Sequence, residues 1–127
     1  MVKIFLDANY FIDAIHRKPE RAILESLRHT IMYISPLSVH IYCYISKIKI
    51  PDSRLFRQKD IFQIVDFSDD IVDRALQGPT SDFEDNVQLH CAAEAECDIF
   101  LTEDKRLLQM KFFGKVRIAS EYVTIPS

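Results

Sequence analysis

The stretch "SDFEDN", residues 81–86, sets Asp82, Glu84 and Asp85 close together, directly ahead of the apolar run "VQLHCAAEAEC". That run reads as a buried helix. Acids at a helix start can cap its free N–H groups and complement its dipole. They can also hold a cation. Two more aspartates stand at comparable junctions: Asp7 ends the apolar run "VKIFL", and Asp104 follows "DIFLT" by two residues. Carboxylates gathered in a low-dielectric cleft repel one another, and a hard divalent cation removes that strain. Mg²⁺ and Mn²⁺ favour oxygen ligands and keep waters that exchange with substrate oxygens. Such an ion polarises a phosphoryl group and activates water for in-line attack.

The acids do not all need this explanation. Ser81 and Glu84 fit the S-x-x-E capping box, which accounts for Glu84. Asp82, in the first turn, reads first as a dipole-complementing residue and second as part of a metal shell. Asp85 shares a helical face with Gln88 and Leu89, away from Phe83, Val87 and Cys91. It has no capping duty and is the functional candidate. Asp7 and Asp104 have a competing reading as caps for "ANYFIDAI" and "KRLL", and Asp13 reads as a solvated helix position. His16, His29, His40 and His90 show no ligand spacing. Cys43, Cys91 and Cys97 show none either and read as reduced core thiols.

The elements that must position these acids follow from hydrophobic period and punctuation. "VKIFL", "TIMYI", "IFQIVDF", "DIFLT" and "KVRIA" read as strands, apolar on both faces. Helices are expected over "YFIDAIHR", "PERAILESLR" and "PLSVHIYCYISKIKI", the last opened by Ser35 as N-cap and Pro36 at its first position. "PDSRLFRQKD" is a polar helix or loop. Ser68 caps "DDIVDRALQ", Gly78–Pro79 stops it, and the helix after Ser81 follows. "EDKRLL" is a loop and short helix, and Ser120 caps a final turn. Alternating strands and helices imply an α/β sandwich: a central, mostly parallel sheet flanked by helices. In such sheets ligands bind beyond the carboxyl ends of the strands. Asp7, Ser35 and Thr102 stand at those ends, so Asp7, Asp104 and at least one of Asp82 and Asp85 can converge.

The chain has 127 residues, 48% hydrophobic and 28% charged, with a formal net charge of −3. This fits one domain over residues 1–127 and argues against nucleic-acid binding driven by bulk charge. No signal peptide or membrane span is legible, so a cytoplasmic protein without membrane association is expected.

Taken together, "IFLDANYFIDAI", "ISPLSV" and "DFEDNVQLHCAAEAECDIFLTEDKRL" resemble the PIN-domain family in order and spacing, over nearly the whole chain. The resemblance implies a metal-dependent ribonuclease that uses Mg²⁺ or Mn²⁺ and leaves a 3′-hydroxyl and a 5′-phosphate. It implies a bacterial toxin with an antitoxin partner that inserts a segment into the acidic cleft, and the pairing of two copies. Asp7, Asp85 and Asp104 match the family's metal-binding acids, and Asn9 and Thr102 match polar residues that assist the site. One position departs. Many PIN nucleases carry a glutamate on the helix after the second strand, in a pattern like S-x-L-T-x-x-E. Here "SPLSVHI" puts Ile41 there, with His40 about 100° away around the helix. A subgroup of PIN-type toxins that lacks this glutamate is the nearest likeness.

Ile41 motivates an alternative of another class: a catalytically weak PIN-like module that binds RNA or a protein. A phosphatase with an aspartate nucleophile ranks below both, because Asn9 stands where its second aspartate would be. Two basic segments could meet phosphates: Lys47, Lys49, Arg54, Arg57 and Lys59, and then Lys105, Arg106, Lys111, Lys115 and Arg117. Phe56 beside the first reads as core, while Tyr42 and Tyr44 divide evenly between core and base stacking.

Overall fold

The computed structural model describes residues 1–123. The chain forms strands β1 (Lys3–Leu6), β2 (Ile31–Ile34), β3 (Phe62–Ile64), β4 (Ile99–Leu101), β5 (Phe112–Phe113) and β6 (Val116–Ala119). Helices α1 (Ala8–Ile12), α2 (Ile23–Ser26), α3 (Pro36–Ile45), α4 (Ser53–Gln58), α5 (Asp69–Ala75), α6 (Phe83–Glu94) and α7 (Lys105–Met110) connect them. The sheet runs β3-β2-β1-β4-β6-β5 and is parallel except for the β5–β6 pair. This is the mostly parallel α/β sandwich expected from the sequence.

The strand period of two splits the core. Ile4, Leu6, Ile34 and Leu101 face one side with Tyr10, Phe11, Ile12 and Tyr42 of α1 and α3. Phe5 and Phe100 face the other with Val87, Leu89 and Cys91 of α6. The Phe5 and Phe100 rings stack with centroids 5.6 Å apart. Only the central strands are apolar on both faces. β3 and β6 carry exposed positions, because they lie toward the sheet's edges. Consecutive parallel strands run from β1 out to β3, and the chain then crosses back to place β4 on the other side of β1. The switch point of the sheet therefore lies between β1 and β4, where a ligand crevice opens.

Several elements differ from their sequence patterns. "PERAILESLR" breaks at Ala22, whose φ of 49° puts it in the left-handed region, so a 3₁₀ turn and the short α2 replace one helix. α1 runs directly into a π turn over Asp13–Arg17. α3 ends at Ile45, short of the "SKIKI" tail. β5 escaped notice: two residues give no readable period, and Gly114, at φ +59°, makes the turn into β6. Residues 121–123 carry no helix, and a final turn after Ser120 would continue outside the described residues. Phe56, expected in the core, is 67% exposed, while Tyr42 is fully buried. The Tyr42 hydroxyl accepts from the Arg54 guanidinium at 2.7 Å and lies 3.0 Å from His16 Nδ1. Arg54, read from sequence with the phosphate-contacting cluster, thus ties α4 to α3 and to the turn after α1.

That buried hydroxyl makes the first testable point. Tyr42→Phe removes the shorter of Arg54's two acceptors, the other being the Ile15 carbonyl, without creating a cavity and should cost about 1–3 kcal/mol in urea unfolding. A loss below about 0.5 kcal/mol would mean that solvent satisfies Arg54 instead.

Candidate active site

Each candidate acid stands where a strand or loop hands over to a helix. Asp7 leaves β1 with extended backbone and caps α1, its Oδ1 accepting from the Tyr10 N–H at 2.7 Å. Asp104 caps α7, its Oδ1 accepting from the Arg106 N–H at 2.8 Å. A cap uses one carboxylate oxygen and leaves the other. The choice between capping and ligand binding is therefore not exclusive at either residue.

Register brings these two junctions together. β1 and β4 pair with Leu6 opposite Leu101, so the next residues, Asp7 and Thr102, lie side by side. Thr102 is fully buried. Its hydroxyl accepts from the Asp104 N–H at 3.0 Å and lies near enough to the Asp7 carboxylate to lower its pKa. On the other flank, β1 pairs with β2 through Phe5 and Tyr33, and the same register continued sets Ser35 beside Asp7. Ser35 takes the N-cap backbone position of α3, but its hydroxyl makes no cap bond and is buried without a partner.

The start of α6 supplies the remaining acids, in a different arrangement from the capping box. The helix opens at Phe83, and Asp82, not Ser81, is its N-cap, with Oδ1 accepting from the Asp85 N–H at 3.0 Å. The sequence holds two overlapping signatures one residue apart, S-x-x-E and D-x-x-D, and the second wins. Asp82 caps through Oδ1 and is not part of the cavity lining. Glu84 loses the capping role assigned to it. Buried Asn86 fixes this entry: its Oδ1 accepts from the Thr80 N–H and hydroxyl, and its Nδ2 donates to the carbonyls of Ala75 and Thr80.

Asp7, Glu84, Asp85 and Asp104 line one cavity of about 290 Å³, together with Asn9 and Gln88. Asp13 and Glu103 form another part of its wall. Asp13 is not solvated as expected; it is 5% exposed and pairs with Arg17 at 2.9 Å and Arg21 at 3.7 Å. Arg21 also pairs with Glu103. Asn9 is exposed, and its side-chain oxygen accepts from Arg17 at 3.3 Å. Asp82, Ser35 and Thr102 are not part of the lining. Sequence reasoning missed Asp13, Glu103 and Gln88 as wall residues. For Gln88, its place on the Asp85 face was the available signal.

Burial and crowding set the electrostatics. Burial pushes the Asp7 carboxyl up to about 6, opposed by the hydrogen bonds from Thr102 and Tyr10 and reinforced by the charges of Glu84 and Asp104. Burial, then the charges of Asp82, Asp104, Glu84 and Asp7, push Asp85 up to about 6 as well. The cavity thus holds negative charge that its own protein groups do not neutralise. Its donors are carboxylate oxygens, the set a hard cation such as Mg²⁺ or Mn²⁺ prefers. Among the described residues, no three of these acids already surround one point closely enough to form a finished ligand set. The thiols offer nothing comparable: Cys91 and Cys97 are buried and pushed up to about 12.

The other candidate groups lie apart. Ile41 packs against the core shared by α1 and α3 and does not reach the cavity. His40 is exposed. His90 bonds the Gly78 carbonyl through Nε2 at 2.9 Å and packs on Phe113. A second recess of about 660 Å³, lined by apolar Pro36, Val39, Leu55, Phe56 and Ile64, opens between α3 and α4. Among the described residues no helix is long and apolar enough to cross a membrane.

Comparison with known proteins agrees with the fold. Residues 3–106 match the family described as the PIN domain. No curated protein matches the chain by sequence. Among solved structures, VapBC2 from Rickettsia felis, bound to a DNA fragment from its promoter, has a similar fold. It shares 18% identity, with a TM-score of 0.65 over 93% of this chain and 98% of that chain.

The raised Asp7 pKa gives a signed prediction. The folded value exceeds the unfolded one, so the folded state keeps its proton longer and loses stability as pH rises from about 4 to about 6. Asp7→Asn retains a good cap and removes that charge. In metal-free buffer its stability advantage over wild type should be absent below pH ~4, grow to pH ~6 and level at about 1–3 kcal/mol. Paired urea titrations across this range measure it; a pH-independent difference would contradict it.

Proposed function

Because the chain belongs to the PIN-domain family, we propose that it is a metal-dependent ribonuclease, with residues 1–127 acting as one PIN-like domain. The observation that carries this reading is the meeting of Asp7, Asp85 and Asp104 on one cavity at the sheet's switch point. These three would hold Mg²⁺ or Mn²⁺. When bound, such an ion supplies positive charge for the scissile phosphate and activates water as the nucleophile. Thr102, beside Asp7, anchors the start of the Asp104 loop. Asn9 and Ser35 complete the polar surroundings. Asp85 makes no cap bond through its carboxylate and is the acid most available to a ligand. Lys105 and Arg106, exposed on α7 directly after Asp104, can meet the RNA backbone.

The natural setting we propose is a cytoplasmic toxin held by an antitoxin. The likeness to the VapBC2 complex supports a protein partner, as does the apolar recess between α3 and α4. Pairing of two copies belongs to the same reading. One observation favours the second reading, a catalytically weak binding module: Ile41 packs into the core and brings no acid to the cavity.

Cleavage of labelled single-stranded RNA in Mn²⁺ or Mg²⁺ tests the proposal, with EDTA and Asp85→Asn as controls. Metal-dependent cutting is expected, reduced at least about 100-fold in the variant. Absence of cutting across several RNAs by folded protein, or cutting undiminished by the substitution, would favour the binding module.

A further inference from the structure

Six acids line the cavity: Asp7, Asp13, Glu84, Asp85, Glu103 and Asp104. They are not equivalent. Asp13 and Glu103 are neutralised by Arg17 and Arg21. Asp7 and Asp104 each give an oxygen to a helix cap, and the other oxygen of Asp104 lies 3.6 Å from the Arg106 guanidinium. Glu84 and Asp85 make no side-chain hydrogen bond or ion pair with any described residue. For Asp85 this was foreseen. For Glu84 it follows from the one-residue shift of the helix start, which gives the cap to Asp82 and frees the Glu84 carboxylate.

A neighbouring group points the same way. Gln88 lies one turn after Glu84, on the same face of α6. It is 1% exposed and lines the cavity. Its Oε1 accepts from the Ser38 hydroxyl at 3.3 Å. Its Nε2 has no acceptor among the described residues. An amide donor on a cavity wall can give its hydrogen bond to an anionic oxygen bound there. The α6 face bearing Glu84, Asp85 and Gln88 is thus built for a ligand. The α3 face is not, since Ile41 is apolar, partly buried against the core and not part of the cavity lining.

We propose that Glu84 supplies the fourth carboxylate of the cation site, from the first turn of α6, in the place of the acid that α3 lacks at Ile41. Its longer side chain reaches the cavity that Asp85 enters from the next position. Gln88 then donates to a carboxylate of this set or to a phosphate oxygen beside it. The inference rests on the metal-dependent reading of the site.

Mn²⁺ binding to the intact chain, followed by the paramagnetic resonance signal of free Mn²⁺, tests it without any RNA. Glu84→Gln should weaken Mn²⁺ at least about 10-fold, while metal-free thermal unfolding confirms the fold is retained. Asp82→Asn removes the same charge two residues away and keeps a competent cap; its effect should stay below about 3-fold, since charge alone acts there. Equal losses in the two variants would overturn direct ligation by Glu84. So would wild-type affinity in Glu84→Gln beside clear loss in Asp85→Asn, a result that leaves the three-acid site standing. Failure of the wild-type chain to bind Mn²⁺ at millimolar concentration would overturn both the inference and the metal-dependent reading beneath it.

Discussion

The parallel register of β1 against β4 is the constraint on which the site depends. It places the residue after Leu6 beside the residue after Leu101, and Thr102, beside Asp7, also anchors the start of the Asp104 loop through its hydroxyl. A slip of one residue would turn Phe5 and Phe100 into the other core and carry Asp7 to the wrong face. The two cores prevent this. Ile4 and Leu6 are buried against α1 and α3, and Phe5 against α6, so neither face tolerates the exchange. Site geometry is in this sense a by-product of core packing.

Charge is then concentrated where packing is least forgiving. The cavity walls divide by how their acids are treated. Asp13 and Glu103 carry built-in guanidinium partners, which removes their cost and fixes the turn after α1 against the β4–α7 loop. Asp7 is treated differently, with a backbone N–H and one hydroxyl to stabilise it, and its carboxyl stays well above the ordinary range. A protein selected for stability alone would have paired it too. Paired and unpaired acids share the cavity wall: Asp13, Glu103 and Asp104 have guanidinium partners, and Asp7, Glu84 and Asp85 have none among the described residues.

How far the sequence revealed this depends on whether the deciding interaction was local. Asp7 and Asp104 were legible because a strand and a helix meet at each. Asp85 was legible from helical phase alone. Glu84 was misread because two capping signatures overlap in "SDFED", and the winner is set by Asn86, whose bonds to Thr80 and to the end of α5 fix where the chain enters the helix. Asp13 was misread because Arg21, one of its partners, lies beyond a π turn that no pattern announces. Phe56 was misplaced, and Tyr42 left undecided, for a related reason. Arg54 gives Tyr42 a buried partner, while Phe56, one turn further along α4 than Ser53, points outward beside Lys59. The fold class needed only alternation of strand and helix and was clear throughout.

The loss of an acid at Ile41 fits this division of labour. Where α3 contributes a carboxylate, the site is strung between the loops after β1, β2 and β4 and the start of α6. Here Ile41 joins the core of α1 and α3 instead, and Ser38 is the residue by which α3 reaches toward the site, through Gln88. In the proposed site the ligand-facing groups shift onto α6, whose first turn is anchored to α5 by Asn86 independently of α3. α3 and α4 are thereby released from the site's geometric demands. Their outer face carries the apolar recess and the exposed Tyr44, Ile45 and Phe56, a surface that can be shaped by contact with another molecule without moving a carboxylate.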